Sequence, residues 1–325
     1  MADQDREKAE SSFDSVSMLN VSGDYAGQRI DNFLSARLKG VPKSRIYRLL
    51  RKGEIRVNKG RAKPDRRLEA GDIIRLPPIR VSENEVRQPP DSLLKCLEDA
   101  VVYEDDQIMV IDKPTGVAVH SGTGVEFGVI EGLQASRPDI QGLSLVHRLD
   151  RETSGCLLLC KERRILPDLN RVLASGAFDK RYLTLVCGDW TDGRRSVRAP
   201  LALRRSGDQE RRNEVDLDAG KSSETVFLPK ERLDGYTLLE ARLHSGRMHQ
   251  IRAHAAHIGY PLAGDDKYGD RARNRGLKRF GLRRLFLHAF RLSFSMPGSG
   301  RRIRVEIPLA GDLESVLERM RDTTT

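Results

Sequence analysis

The side chains best placed for chemistry fall in residues 145–161, Leu-Val-His-Arg-Leu-Asp-Arg-Glu-Thr-Ser-Gly-Cys-Leu-Leu-Leu-Cys-Lys. An apolar approach (Leu143, Leu145, Val146) runs into a turn that holds His147, Arg148, Asp150 and Arg151, then Thr153, Ser154 and Gly155. The chain leaves through a second apolar run, Cys156 to Cys160. Both flanks read as short buried strands, and the polar residues between them are turn chemistry. A carboxylate where a loop meets a buried strand is rigidly held, and cations beside a carboxylate favour its charged form. Such a group serves as a nucleophile or a general base. An aspartate that merely hydrogen-bonds its own turn is the plainer reading of the same residues.

The elements that must hold this turn come from a chain of 325 residues, 38% hydrophobic, enough for one large core and a small satellite domain. The formal net charge is +10, which points to a polyanionic partner, nucleic acid before membrane. Residues 28–88 hold 17 Lys and Arg against 7 Asp and Glu, so the satellite carries the excess. Cys96, Cys156, Cys160 and Cys187 lack the paired spacing of a zinc site. Cys156 and Cys160 share one strand face and read as buried thiols in a reducing compartment. The first twenty residues are polar and acidic, unlike a signal peptide, and no apolar run is long enough for a membrane span. These features predict a cytoplasmic protein.

Residues 1–20 read as a disordered lead-in, with order beginning near Val21. Ile30, Phe33, Leu34 and Leu38 recur at helical steps; Gly40-Val41-Pro42 breaks the pattern, and Ser44 is placed to cap a second helix whose core side is Ile46, Leu49 and Leu50. Short strands follow at 55–58 and 72–76 around a basic loop. Cations at Lys43, Arg45, Arg48, Arg51, Lys52, Lys59 and Arg61 are nearly unopposed, which favours phosphate contact over simple solvation. Residues 81–95 read as a semi-stiff linker with a double proline, Pro89-Pro90. Beyond it, strands outnumber helices, predicting an α+β domain over 96–325 with a mixed, largely antiparallel sheet. The helices expected there are 127–136, 161–176, Met248 to Ile258 and one near the C terminus. Arg204-Arg205 with Arg211-Arg212, and Arg271 through Arg284, read as Gly- and Arg-rich loops, the second favoured for RNA contact. His249, His254 and His257 lack the acidic partner of a His-Glu-x-x-His site and read as structural, so no metal is expected.

The segment from His147 to Gly155 closely resembles the signature of the RluA-type pseudouridine synthases. Three further blocks stand in the family's order: Asp112-Lys113-Pro114-Thr115-Gly116 with His120, Lys180-Arg181-Tyr182-Leu183, and Gly246-Arg247-Met248-His249-Gln250-Ile251-Arg252. The family pattern has a small polar residue where Met248 stands. Residues 28–80, including Pro42-Lys43-Ser44-Arg45 and Val57-Asn58-Lys59, resemble an S4-type (αL-like) RNA-binding module, to be expected over 21–80. The resemblance spans residues 28–315. It implies a pseudouridine-synthase-like fold with a cleft across the sheet, and isomerisation of several uridines in 23S rRNA, or the same chemistry on another RNA. Asp150 then acts at the sugar, either as nucleophile at C1′ or as base at C2′. Arg247 is expected to pair with it, and Tyr182 to stack on the uracil with its hydroxyl as an acid/base. Leu287 packs against the base, Arg148 fills the space of the everted nucleotide, and His120 and Lys113 shape the cleft. No atoms enter or leave in such an isomerisation, so no cofactor is expected. A non-catalytic ribosome-binding factor and an N-glycosidase are the rival readings.

Overall fold

A computed structural model describes residues 15–38, 41, 43–79, 88–122, 124–140, 142–206 and 210–323. It divides into two compact units, Met1–Gln88 and Pro89–Thr325.

The first unit contains β1 (Ser17–Asn20), α1 (Ile30–Arg37), α2 (Lys43–Lys52), β2 (Arg56–Val57), β3 (Gly60–Arg61) and β4 (Ile73–Leu76), with sheet order β1-β4-β2-β3. Its core takes Ile30, Phe33 and Leu34 from α1 and Ile46, Leu49 and Leu50 from α2, the apolar stripe that helical spacing requires. Arg48, Arg51 and Lys52 stay exposed on the other side of α2. Asn58 and Lys59 form the two-residue turn between β2 and β3, with φ 49 and 69, the left-handed pair that matches strand twist. Lys59 and Arg61 are exposed on this hairpin. Arg45 is half-buried, and the side chain of Lys43 lies outside the described residues.

Two expectations need correcting here. Residues 17–20 are not lead-in, because β1 pairs antiparallel with β4 from Ser17 opposite Leu76 to Asn20 opposite Ile73; residues 1–14 lie outside the described set. Helix α2 begins at Lys43, so Ser44 is inside it and does not cap it.

The second unit runs α3 (Asp91–Asp99), β5 (Val101–Glu104), β6 (Ile108–Lys113), α4 (Val129–Ser136), β7 (Ser144–Leu145), β8 (Ser154–Cys160), α5 (Leu166–Ala174) and β9 (Asp179–Cys187). It continues with β10 (Arg195–Arg198), β11 (Leu201–Ser206), β12 (Glu210–Val215), β13 (Glu224–Leu233), β14 (Tyr236–Leu243), α6 (Gln250–His257), α7 (Arg271–Leu277), β15 (Leu287–Ser295), β16 (Arg302–Glu306) and α8 (Gly311–Asp322). The main sheet has the order β10-β13-β14-β9-β15-β8-β6-β5, with β7 paired to β8 and β16 to β15. Among the described residues its one parallel pair is β15 with β8, where His288 faces Ser154 and Ala289 faces Gly155. Gly155 has φ +106, and a Cβ there would stand 2.3 Å from the Ala289 carbonyl oxygen. Only glycine lets these two strands close.

The fold is α+β with a mixed, largely antiparallel sheet, as expected. One core, including Leu157, Leu158 and Leu159, covers one part of the sheet. A second gathers Leu185, Phe286 and the α8 stripe Leu313, Val316, Leu317 and Met320, each burial stabilising by about 1.5–3 kcal/mol. Helix α3 occupies residues 91–95, so the predicted linker is too long at its C-terminal end. The two Arg-rich stretches are not loops throughout: one contains the β11–β12 hairpin and the other contains α7. No helix among the described residues is long and apolar enough to cross a membrane.

Candidate active site

Asp150 lies in the turn between β7 and β8, and the Thr153 N–H donates to its carbonyl at 3.1 Å. The turn is clamped from both sides. The Lys113 ammonium donates to the carbonyls of Pro114 (2.7 Å), Val117 (2.8 Å) and Arg151 (3.1 Å). Gly116 N–H donates to Arg151 O at 2.9 Å, and Arg151 Nε returns a bond to Gly116 O at 2.9 Å. From the other side, His147 Nε2 accepts the Leu158 N–H at 3.1 Å. That bond needs a bare ring nitrogen, and burial, then the charge of Lys180, push the His147 pKa down to about 4.

Asp150 faces a cleft of about 650 Å³, also lined by His120, Arg148, Tyr182, Arg247 and Leu287. Arg148 and His120 are exposed at it, whereas Tyr182 and Leu287 are buried. Tyr182 comes from β9, opposite Ala241 of β14. Burial, and then the charge of Asp150, push its phenol pKa well up, so the hydroxyl is held neutral as a donor. Leu287 opens β15 beside Thr184. Lys113 is fully buried, with its ammonium turned to three carbonyls. It supports the turn from behind and is not among the residues that line this cleft, a difference from its expected place there.

The groups that face Asp150 are not those expected. Its Oδ2 lies 3.7 Å from His249 Nε2 and 3.9 Å from Arg252 Nη1, while Arg247 makes no ion pair with it within 4.0 Å. The cause is local. His249 adopts a left-handed conformation (φ 53) just before α6, reversing the chain between the two arginines. The Gln250 Oε1 accepts from the Arg247 N–H (3.1 Å) and the Ser245 hydroxyl (2.7 Å). Arg252 thus falls in the first turn of α6, and Arg247 stays on the cleft wall ahead of it.

Arg252 is itself fixed. Its Nε and Nη2 each donate to Asp265 at 2.7 Å, a bidentate pair of the strong kind. Its guanidinium lies 5.1 Å from the Tyr268 ring centre. Burial opposes the Asp265 charge, but Arg252 and the N–H groups of Tyr268 and Lys267 outweigh it and hold that carboxyl below its ordinary range. Tyr268 Oη accepts the Asn213 N–H at 2.9 Å and lies 3.0 Å from Asn213 O and 3.1 Å from His249 Nδ1. Its single proton serves one of these last two. Given to Nδ1, it leaves Nε2–H directed at Asp150. Burial lowers the His249 pKa against the pull of Asp150, so a neutral ring in this tautomer suits the site. Asn213 Nδ2 also donates to Met248 O at 2.7 Å, so β12 braces the same turn.

Sequence reasoning missed Arg252, Asp265, Tyr268 and His249. The signal for Arg252 and His249 was a second arginine and a histidine in the Gly246–Arg252 block; for Asp265 and Tyr268 it was a polar Asp265-Asp266-Lys267-Tyr268 run between apolar segments. His254 is structural as expected, its ring nitrogens 2.9 Å from Thr225 Oγ1 and Ala199 O. Among the described residues no cluster of His, Cys, Asp and Glu is arranged to hold a metal ion.

Residues 107–257 match the model of the RNA pseudouridylate synthase family, and residues 28–74 match the S4 domain. A ribosomal large subunit pseudouridine synthase C of Yersinia pestis is 49% identical over 95% of this chain and 97% of its own. The protein of that name from Escherichia coli K12 is 49% identical over 95% of this chain and 98% of its own. Among solved structures, human RNA pseudouridylate synthase domain containing 4 shares the fold, with TM-score 0.59 at 22% identity over 71% of this chain and 96% of that one. With near-full-length relatives at this identity, and with both matched segments in order, the chain belongs to the RNA pseudouridylate synthase family and carries an S4 domain ahead of its catalytic unit.

Proposed function

We propose that this protein isomerises uridine to pseudouridine in large-subunit ribosomal RNA, several sites by one enzyme, with Asp150 as the catalytic carboxylate. The observation that carries the reading is the placement of Asp150: it is clamped in a turn, 3.9 Å from a buried arginine and in one cleft with Tyr182 and Leu287. The ribosomal substrate is the one named for the relatives at 49% identity, and work on it belongs in the cytoplasm.

The target uridine must leave its stack to reach this depth, at a cost of about a few kcal/mol. Arg148, exposed at the cleft mouth, is positioned to occupy the vacated space. The uracil then lies against the Tyr182 ring and Leu287. Asp150 acts at the sugar, at C1′ or C2′, the C1′–N1 bond breaks, the base turns, and its C5 joins C1′. Arg252 and Asp265 hold the carboxylate's electrostatic surroundings fixed throughout, which is where preorganised sites gain most of their rate. Phosphate contacts fall to the S4 unit, where Arg48, Arg51, Lys52, Lys59 and Arg61 are exposed. They supply affinity and register more than sequence reading.

Incubation with 23S rRNA transcripts containing C5-tritiated uridine should release tritium, and carbodiimide-primed reverse transcription should locate the products. Binding without release would support the ribosome-binding factor instead. Aniline-sensitive cleavage would support the N-glycosidase.

A further inference from the structure

Lys180 is a buried cation without a partner. It precedes Tyr182 by two residues on β9, is 8% exposed, and lines the cleft. Among the described residues its ammonium has no hydrogen-bond acceptor and no carboxylate within 4.0 Å, because Asp179 and Glu240 serve the opposite face of the sheet and Asp150 has other partners. Asp179 pairs with Arg181 and Arg242 at 3.0 Å each, Glu240 with Arg181 at 2.9 Å, and Asp150 faces Arg252 and His249. The ammonium lies beside the Gly246 backbone, where an added Cβ would stand 3.4 Å from Nζ. Burial pushes the Lys180 pKa down to about 8.

The ammonium opens to the cleft, and apart from the cleft nothing in the fold offers it an acceptor, so an apolar residue of similar size would serve packing as well. A negative charge entering the cleft therefore finds this ammonium unclaimed by any protein group. Alternate residues of a strand share a face about 6.6 Å apart, roughly the width of a pyrimidine. A base stacked on Tyr182 thus presents its edge to Lys180.

We propose that the Lys180 ammonium receives the negative charge that uracil acquires when its glycosidic bond breaks. This rests on the function proposed above. The C1′–N1 electron pair leaves with the base and spreads over N1, O2 and O4. C5 then bonds to C1′, the C5 proton departs and N1 gains one, so composition is unchanged. Lys180 transfers no proton and pairs with the anion until the new bond forms.

Lys180→Met tests this. With enzyme in excess over an rRNA fragment containing C5-tritiated uridine, the tritium-release rate should fall about 100-fold, the effect of losing one anion-stabilising donor. RNA affinity should stay within about threefold, with the same salt dependence, and the melting temperature should be unchanged or higher. Lys180→Arg should recover at least about tenfold of the rate. A Lys180→Met rate within about threefold of wild type would overturn the proposal. So would weaker affinity with a flatter salt dependence at normal saturated rate, which marks a phosphate ligand. A lower melting temperature without rescue by arginine would mark a structural role and also overturn it. Wild-type protein that releases no tritium would instead remove the underlying function, and this assignment with it.

Discussion

Replacing Arg252 separates its role from that of Arg247, provided the buried partner goes with it. Arg252→Met alone would strand Asp265, fully buried, as an unpaired charge, and breaking such a pair costs about 3–5 kcal/mol of stability. The double variant Arg252→Met/Asp265→Asn avoids this, because the asparagine oxygen still accepts the Lys267 and Tyr268 N–H bonds that Asp265 Oδ1 takes at 2.8 and 2.9 Å. The guanidinium stands 3.9 Å from Asp150, worth about 4 kcal/mol at an effective dielectric near 20. Asp265, on another edge of the guanidinium, returns about half of that, leaving about 2 kcal/mol, or about thirty-fold in rate. Single-turnover tritium release at saturating enzyme is the assay, with circular dichroism to establish folding. Arg247→Met should lower RNA affinity more than rate. The reasoning fails if the folded double variant stays within about threefold of wild type, or if Arg247→Met alone gives the thirty-fold loss at unchanged affinity.

Lys113→Met removes one bond to the Asp150 turn, at Arg151 O, and two within the 114–117 turn that clamps it, so it should lower both the melting temperature and the single-turnover rate while RNA affinity stays within about twofold; a filter-binding assay beside the rate measurement checks this. His288, fully buried, has its pKa pushed down to about 4 by burial and then Arg284, whereas the unfolded ring titrates near 6.5. Between those values the unfolded state binds more protons, so His288 stabilises the fold above about pH 6.5 and loses that contribution as pH falls toward 4. Urea unfolding at pH 7 and 4.5 should show a loss about 2 kcal/mol smaller in His288→Gln than in wild type. An equal loss would contradict the assignment. The triple substitution Arg48→Gln/Arg51→Gln/Lys52→Gln should weaken rRNA binding and reduce the slope of log affinity against log salt by about two, with an unchanged slope excluding this face of α2 from phosphate contact.

Much of the site could be read along the chain because its signals are local. The His147–Gly155 turn lies between apolar runs, β8 is a continuous buried strand, and Tyr182 and Leu287 sit in alternating or apolar stretches that become β9 and β15. Arg252 and Asp265 are 13 residues apart, and nothing near either shows that each neutralises the other inside the core. A residue count along the 246–252 block favours no arginine over the other; the left-handed turn at His249 decides between them, and non-glycine residues seldom adopt it. Helix α7 was hidden by its charge, although Asp270 caps it by accepting the Ala272 and Arg273 N–H groups at 2.6 and 3.1 Å. Strand β1 exists because β4 offers it an edge, a long-range pairing that no local propensity announces.

Asp150→Asn keeps the side chain's size and one of its acceptors while removing its charge, so RNA affinity should remain within several-fold of wild type. Tritium release from C5-labelled 23S transcripts, followed in a single turnover, should then fall by at least about a thousandfold. If the purified Asp150→Asn variant still turned over uridine at about a tenth of the native rate, the chemistry would lie elsewhere in the molecule.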